Sequence, residues 1–340
     1  MSIYYFAILF FICYGYVYQA VACTTKRYMN CFFVLCFSLL FGFRYKVGVD
    51  WYSYIGIYKD YVDSVTFFDT FEIGYKLINL LAIWINTGIV TVIFVSTLLF
   101  AFFTIFGIAR ININPYYFLA LVAPYHFIMS GMNYTRQAIA LSVMLAAFGF
   151  LLQKKMRCFF ILALVAGFFH ISAWCFILLI FIDVKLRYLL FFLAMLIPPL
   201  LYEMLKAYHV YLTTNMSSSG LYLRVCYLIP CIFFILINYK KMNADLVEKR
   251  LMLLLIVSFP LLILMSIVSS TVADRFSYYF ILLGALLVFY QFYKLGGWNV
   301  RYLNRYGPLV LFISGISAMI VWNMFSTYIQ YYEFHYYFFH

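Results

Sequence analysis

The sequence predicts an all-α polytopic integral membrane protein, a helical bundle of about twelve transmembrane helices, and three observations predict it. Of the 340 residues, 67% are hydrophobic and only 10% are charged, against about 45–50% and about 25% in soluble globular chains. Apolar stretches recur along the whole length, at 3–22, 28–43, 89–108, 116–131, 135–152, 157–182, 187–202, 222–239, 251–269, 276–293 and 307–329, and about 20 apolar residues cross a hydrocarbon core of about 30 Å. No run alternates apolar and polar residues as a barrel strand does, so the backbone hydrogen bonds must close inside helices. An ordinary water-soluble domain is excluded. Without linker composition or internal repeats, residues 1–340 read as a single transmembrane domain.

Each element follows in order. No Lys or Arg precedes Ile3 and no small-residue cleavage pattern follows the first stretch, so it is expected to stay as a span and not to be removed as a signal peptide. Ile73 to Asn86 carries Lys76 and Asn79 and would rise only about 21 Å as a helix, so it is expected to lie in the interface. Residues 157–182 read either as one long span or as a hairpin of two short arms turning at Gly167 and His170. Eight cysteines lie in or beside apolar stretches with no Cys-x-x-Cys and no paired histidines, and they read as small membrane-packing residues, not as disulfides or a metal site.

Charge chooses among the topologies, because Lys and Arg favour the cytoplasmic side of short loops. With the amino terminus outside, 73–86 in the interface and 157–182 a hairpin, only Arg44, Lys46, Lys59, Lys76, Arg136, Lys206, Arg224 and Arg275 of the 23 Lys and Arg fall outside. Making 73–86 a true span, or 157–182 a single one, puts the basic majority outside instead. The preferred arrangement gives both termini periplasmic, with periplasmic loops at 44–88 and 203–221. The outer bases are then matched by an equal number of acids, so the whole net charge of +12 lies on the cytoplasmic side. It is an orientation signal and carries no nucleic-acid meaning.

On this topology Arg44, Asp50, Arg136, Gln137, His170, Arg224, Asp274 and Arg275 all fall at outer helix ends. Ionisable groups at membrane depth are costly and usually face a bundle interior or wet cavity. Arginines at one level, with few acids between the helices, suggest a pocket for a polyanion, and guanidinium forks suit phosphate. Each residue also has a plainer reading. Asp274 and Arg275 fit a helix cap with a snorkelling arginine, Arg224 fits the headgroup layer, and Asp50 fits a salt bridge to Arg44. His170 fits a buried histidine bonded to backbone at a tight turn, and equally a general base. Arg136 and Gln137 precede an apolar face and are expected to point inward. The aromatic and acidic mixture of 44–72 suits stacking on sugar rings, while the carboxy-terminal run Tyr328 to His340 reads as an interfacial anchor. The sequon matches Asn133-Tyr134-Thr135 and Asn215-Met216-Ser217 are too short to carry weight.

Four ordered motifs carry a resemblance. Arg44-Tyr45-Lys46-Val47-Gly48-Val49-Asp50 followed by Tyr54, Asn133-Tyr134-Thr135-Arg136-Gln137-Ala138-Ile139-Ala140, Phe169-His170-Ile171-Ser172-Ala173, and Asp274-Arg275-Phe276 with Tyr278 and Tyr279 resemble the EpsG/Wzy-type polysaccharide polymerase family. The chain departs at Val49, where the family commonly has threonine, and at Trp51, where it has tyrosine. The resemblance implies a polymerase of O-antigen or a related surface glycan in the bacterial inner membrane. Such an enzyme transfers the growing chain from undecaprenyl diphosphate to the non-reducing sugar of a new undecaprenyl-diphosphate-linked unit, on the periplasmic face. Arg44, Arg136, Arg224 and Arg275 would then bind diphosphate, His170 or Asp50 would be the base, and Gln137 and Asp274 would support them. No metal or cofactor is expected, and the partners implied are the lipid-linked oligosaccharide, membrane lipid and a chain-length regulator. The competing classes are a transporter or flippase of lipid-linked oligosaccharide and a membrane sugar acyltransferase.

Overall fold

The computed structural model describes residues 1–63, 72–209, 213, 217, 218, 220–242, 244–296 and 306–339. Asp69, the basic residues Arg301 and Arg305, and Asn215-Met216 lie outside the described residues. Among the described residues the chain is all-α apart from one pair of two-residue strands. Its elements are α1 (Ser2–Ala20), α2 (Cys23–Gly42), β1 (Arg44–Tyr45), α3 (Trp51–Asp63), α4 (Ile73–Trp84) and α5 (Ile89–Ala109). There follow α6 (Pro115–Val122), a π-helical segment (Ala123–Gly131), α7 (Thr135–Leu152), α8 (Met156–Phe169), a 3-10 helix (Ile171–Phe181) and α9 (Leu186–Ala207). The last are α10 (Leu221–Cys226), α11 (Leu228–Asn238), α12 (Leu246–Val268), α13 (Ser270–Lys294), α14 (Gly307–Phe325) and β2 (His335–Tyr336).

Among the described residues, eight helical segments are long and apolar enough to cross a membrane: α1, α5, α7, α9, α10 with α11, α12, α13 and α14. This is a multi-pass helical membrane protein. Four further segments counted as crossings from sequence fall short of that standard among the described residues: α2, α6 with the π-helical turn, α8 and the 3-10 helix. Two helices form the centre: 89% of the span window of α7 and of α13 is buried, against 6% for α9. Close approach needs small side chains. Gly107 of α5 packs on Ala146 of α7 so tightly that a Cβ at Gly107 would lie 2.7 Å from the Ala146 methyl, the usual device for bringing membrane helices together.

Local chemistry explains several boundaries. Asn114 opens α6 by accepting from the amides of Tyr116 and Tyr117, with Pro115 at the first helical position, where its missing N–H costs nothing. Pro124 lacks a donor for the continuing helix, and the backbone there widens to i→i+5 bonding, as in Met132 N–H donating to Phe127 O. Asp245 and Ser269 cap α12 and α13 through the amides of Glu248 and Val272. Ser269 therefore takes the capping role that the sequence left open for Asp274.

The two ends of the bundle are chemically distinct. At one end the chain start, the 44–48 loop and the chain end meet: Tyr4 Oη donates to Tyr332 O at 3.0 Å, Gly48 N–H donates to Tyr331 O at 2.7 Å, and β1 pairs antiparallel with β2. The carboxy-terminal run is thus more than the interfacial anchor expected of it: it straps the loop that carries Asp50. At the other end Lys154 pairs with Asp245 at 3.1 Å, Lys294 pairs with Glu248 at 2.9 Å, and Arg250 donates to the carbonyls of Ile182 and Val184.

Those contacts decide the form of 157–182. Residues 154 and 182–184 both reach the start of α12, so α8 leaves that end and the 3-10 helix returns to it. The arms turn at His170, where the backbone is extended (φ −154°, ψ 131°), and Trp174 packs onto Gly167. The hairpin reading holds. Residues 73–84 form a helix of 12 residues, too short to span, as expected. Its inner face packs Tyr75, Ile78, Asn79 and Ala82, while Leu77, Leu81 and Trp84 stay exposed. All eight cysteines are free, but only Cys231 is buried, against Gly284; six are exposed on the apolar surface, so packing explains few of them.

Candidate functional site

The site lies at the end where the chain termini meet, and glycine geometry builds its floor. Gly48 adopts φ +99°, and a Cβ there would stand 2.6 Å from Met132 O and 3.0 Å from Asn133 Oδ1. Only glycine fits. The loop is pressed onto the segment between the π-helical turn and α7, and Asn133 Oδ1 accepts from Asp50 N–H at 2.9 Å. Two motifs separated in sequence are thereby fixed against each other, with Asp50 half-buried at the junction.

The four predicted arginines divide into two kinds. Arg44 is 2% exposed and donates to Phe41 O at 3.0 Å, Thr97 Oγ1 at 2.9 Å and Gly131 O at 3.1 Å. Its fork ties α2, α5 and the π-helical turn together, and it does not pair with Asp50. Arg224 is 7% exposed, ion-paired through Nε to Asp274, and donates to Ser218 Oγ at 2.8 Å. The headgroup position read from sequence is therefore wrong for Arg224. Arg136 and Arg275 are half-buried. Arg136 is ion-paired to Glu72 with 35% of its side chain exposed, and lies near the rings of Tyr54 and Tyr75. Arg275 stacks over Tyr134 at 4.4 Å and donates to Gln137 Oε1 at 2.9 Å, while Gln137 Nε2 donates to Arg275 O at 2.8 Å.

The expected shortage of countercharges does not hold, because Arg136 and Arg224 each have a carboxylate partner. Glu72 is the site residue to which the sequence assigned no role. It stood among the acids of the 44–72 segment, but nothing in the pattern linked it to a residue 64 positions away. Asn133, Tyr134 and Tyr54 were legible as motif members without an assigned role.

Asp50 is the shared neighbour of the exposed pair. Burial raises its pKa above the ordinary 3.8, while the charges of Arg275 and then Arg136 pull it down without cancelling the rise. The same two arginines act electrostatically on His170. Asp50, Arg136, Arg275 and His170 thus gather from a loop, two central helices and the hairpin apex.

His170 is held by a short polar chain. Its Nδ1 lies 2.7 Å from Ser172 Oγ, and Ser172 Oγ donates to Tyr279 Oη at 3.0 Å. With the Ser172 proton committed to Tyr279, the short contact is Nδ1–H donating to Oγ, which leaves the lone pair on Nε2. The longer approach of Ser172 N–H to Nδ1, at 3.3 Å, would need the opposite tautomer and is the weaker claim. The chain also pins the hairpin apex to α13.

The fold and site define a multi-pass membrane protein with arginines, a carboxylate and a histidine at one bundle end, where ionisable groups as a rule face a bundle interior or a wet cavity. The EpsG family model matches residues 27–339, nearly the whole chain, and the protein belongs to the EpsG family. That family includes Wzy-type polymerases, which makes this a polysaccharide-polymerase-like membrane protein. No curated protein and no solved structure matches the chain.

Proposed function

We propose that the protein is a membrane glycosyltransferase that polymerises O-antigen or a related surface polysaccharide from undecaprenyl-diphosphate-linked repeat units. The observation that supports this best is the gathering of Asp50, Arg136 and Arg275 along residues 133–137, where Asp50 N–H donates to Asn133 Oδ1 and Arg275 lies over Tyr134 and donates to Gln137 Oε1. On this reading the chain sits in the bacterial inner membrane with twelve crossings, both termini and the site periplasmic.

The reaction breaks the bond between the anomeric carbon of the growing chain and its lipid diphosphate, and forms a glycosidic bond to a hydroxyl of the incoming unit. Charge builds on the departing diphosphate, so cations aid its departure. Arg136 and Arg275 supply them. Arg136 exchanges Glu72 for phosphate, and its exposed fork can bind two oxygens at once. Asp50 takes the proton of the acceptor hydroxyl, its raised proton affinity suiting a base better than an ordinary surface carboxylate would. His170 positions the hairpin apex through Ser172 and Tyr279. Arg44, Arg224 and Asp274 hold the surrounding helix ends, and Gln137 holds Arg275. Tyr134, half-buried beneath Arg275, is the aromatic ring at the site's edge, while Tyr54 and Tyr75 pack behind Arg136 in the core.

The test is reconstitution of the full chain in liposomes with purified lipid-linked repeat unit. A ladder of lengthened glycans is expected, with single units only for Arg136→Ala. Units that cross the bilayer without lengthening would instead identify a flippase, and units modified without lengthening an acyltransferase.

A further inference from the structure

The bundle end opposite the site contains a cavity of about 940 Å³ between α1, α2, α5 and the ends of α7 and α13. Its wall is apolar, built by Phe102, Phe103, Phe106 and Phe150, and its rim carries Lys26, Arg27 and Arg110. No Asp or Glu lines it among the described residues. Three other bases at this end are held by protein partners: Lys154 has Asp245, Lys294 has Glu248, and Arg250 has two backbone carbonyls. The three rim bases have no carboxylate partner among the described residues; Lys26 lies over Tyr18 at 5.3 Å and Arg110 over Phe150 at 4.5 Å.

We infer that this cavity is a binding site for a lipid with a phosphate-bearing headgroup, its chain against the phenylalanine wall and its phosphate at Lys26, Arg27 and Arg110. Three unpaired cations beside a membrane-level apolar wall match both halves of such a molecule. The wall alone would accept any acyl chain, and the rim alone any anion; the two together select an anionic amphiphile. A headgroup held here would tie the starts of α2 and α6 to the end of α5, since Asn114 at the cavity edge already donates to Gly15 O at 2.7 Å and caps α6. The inference is independent of the polymerase reading, since it uses no residue of that site.

The test is competitive lipid retention by the full-length protein in detergent, read by native mass spectrometry. With equimolar phosphatidylglycerol and phosphatidylcholine, the wild type should retain the anionic lipid preferentially, and each rim base removed should lower the preference by up to about five-fold. K26Q/R27Q/R110Q should therefore retain the two equally. These side chains stand at the rim, so the variant is expected to fold, which its thermal unfolding checks. K155Q/K240Q, which removes two exposed bases of other loops, should leave the preference intact. Equal retention by the wild type, an unchanged preference in the triple variant, or an equal drop in the control pair overturns the inference. Adding a polyprenyl phosphate to that mixture tells which phosphate lipid is taken: displacement of phosphatidylglycerol assigns the site to the polyprenyl lipid, and its failure assigns it to the phospholipid. Inorganic phosphate that binds while neither lipid is preferred also overturns it.

Discussion

Arg44 and Arg224 lie deep, with the hydrogen bonds of Arg44 spent on backbone and threonine and Arg224 closed onto Asp274; Arg136 and Arg275 lie at the mouth, half-buried and stacked on tyrosines. The sequence predicts all four at outer helix ends, yet their surroundings differ. A deep guanidinium committed to protein acceptors cannot receive a substrate without first dismantling the fold, because an uncompensated buried charge is far costlier than an exposed one. A half-exposed guanidinium exchanges one oxyanion for another at little net cost. On the proposed function, burial, not residue type, separates the substrate-binding arginines from the structural ones.

Five substitutions sharpen the comparison. The largest effect belongs to the deep pair: Arg224→Ala leaves Asp274 buried and unpaired, and should cost about 3–5 kcal/mol of stability, read as lost thermal resistance in detergent. At the mouth, Arg136→Ala should leave the folded protein intact while lowering polymerisation about 10²–10³-fold, measured as initial rates in liposomes; Arg136→Lys, which keeps charge but loses the fork, should fall between. Gly48→Ala forces a side chain into φ +99° against Met132 O and should cost about 1–3 kcal/mol, with a matching drop in Asp50-dependent rate. The smallest effect is on pH. Asp50 must be ionised to act as base, so the rate should fall as pH drops through a pKa above 3.8. Arg275→Gln removes the largest influence holding that pKa down, and should move the acid limb of the rate profile to higher pH. A limb that stays put or moves down would remove Asp50 from the role of base.

Much of this was legible in the chain. The apolar runs mark the long helices, the paired glycine and histidine near 170 mark the hairpin turn, and the four motifs hold Asp50, Arg136, His170 and Arg275, which do converge. The remainder depends on contacts between distant segments. Glu72 reaches Arg136 only because α4 lies beside α7, Arg44 finds Gly131 O only because Pro124 re-registers the helix before it, and β2 meets β1 across nearly the entire chain. Hydrophobic periodicity reports which face of a segment is buried, and says nothing about which distant partner covers it. The reading of four arginines as unpaired failed for that reason.

The most direct test replaces each ion pair as a unit with apolar residues of similar size, which leaves neither partner stranded. Arg224→Met with Asp274→Leu and, separately, Arg136→Met with Glu72→Leu are reconstituted with lipid-linked repeat unit and scored for a product ladder. The account predicts that both fold, that the deep replacement still builds the ladder, and that the replacement at the mouth builds none. A ladder from the mouth replacement, or a folded deep replacement without one, would contradict it.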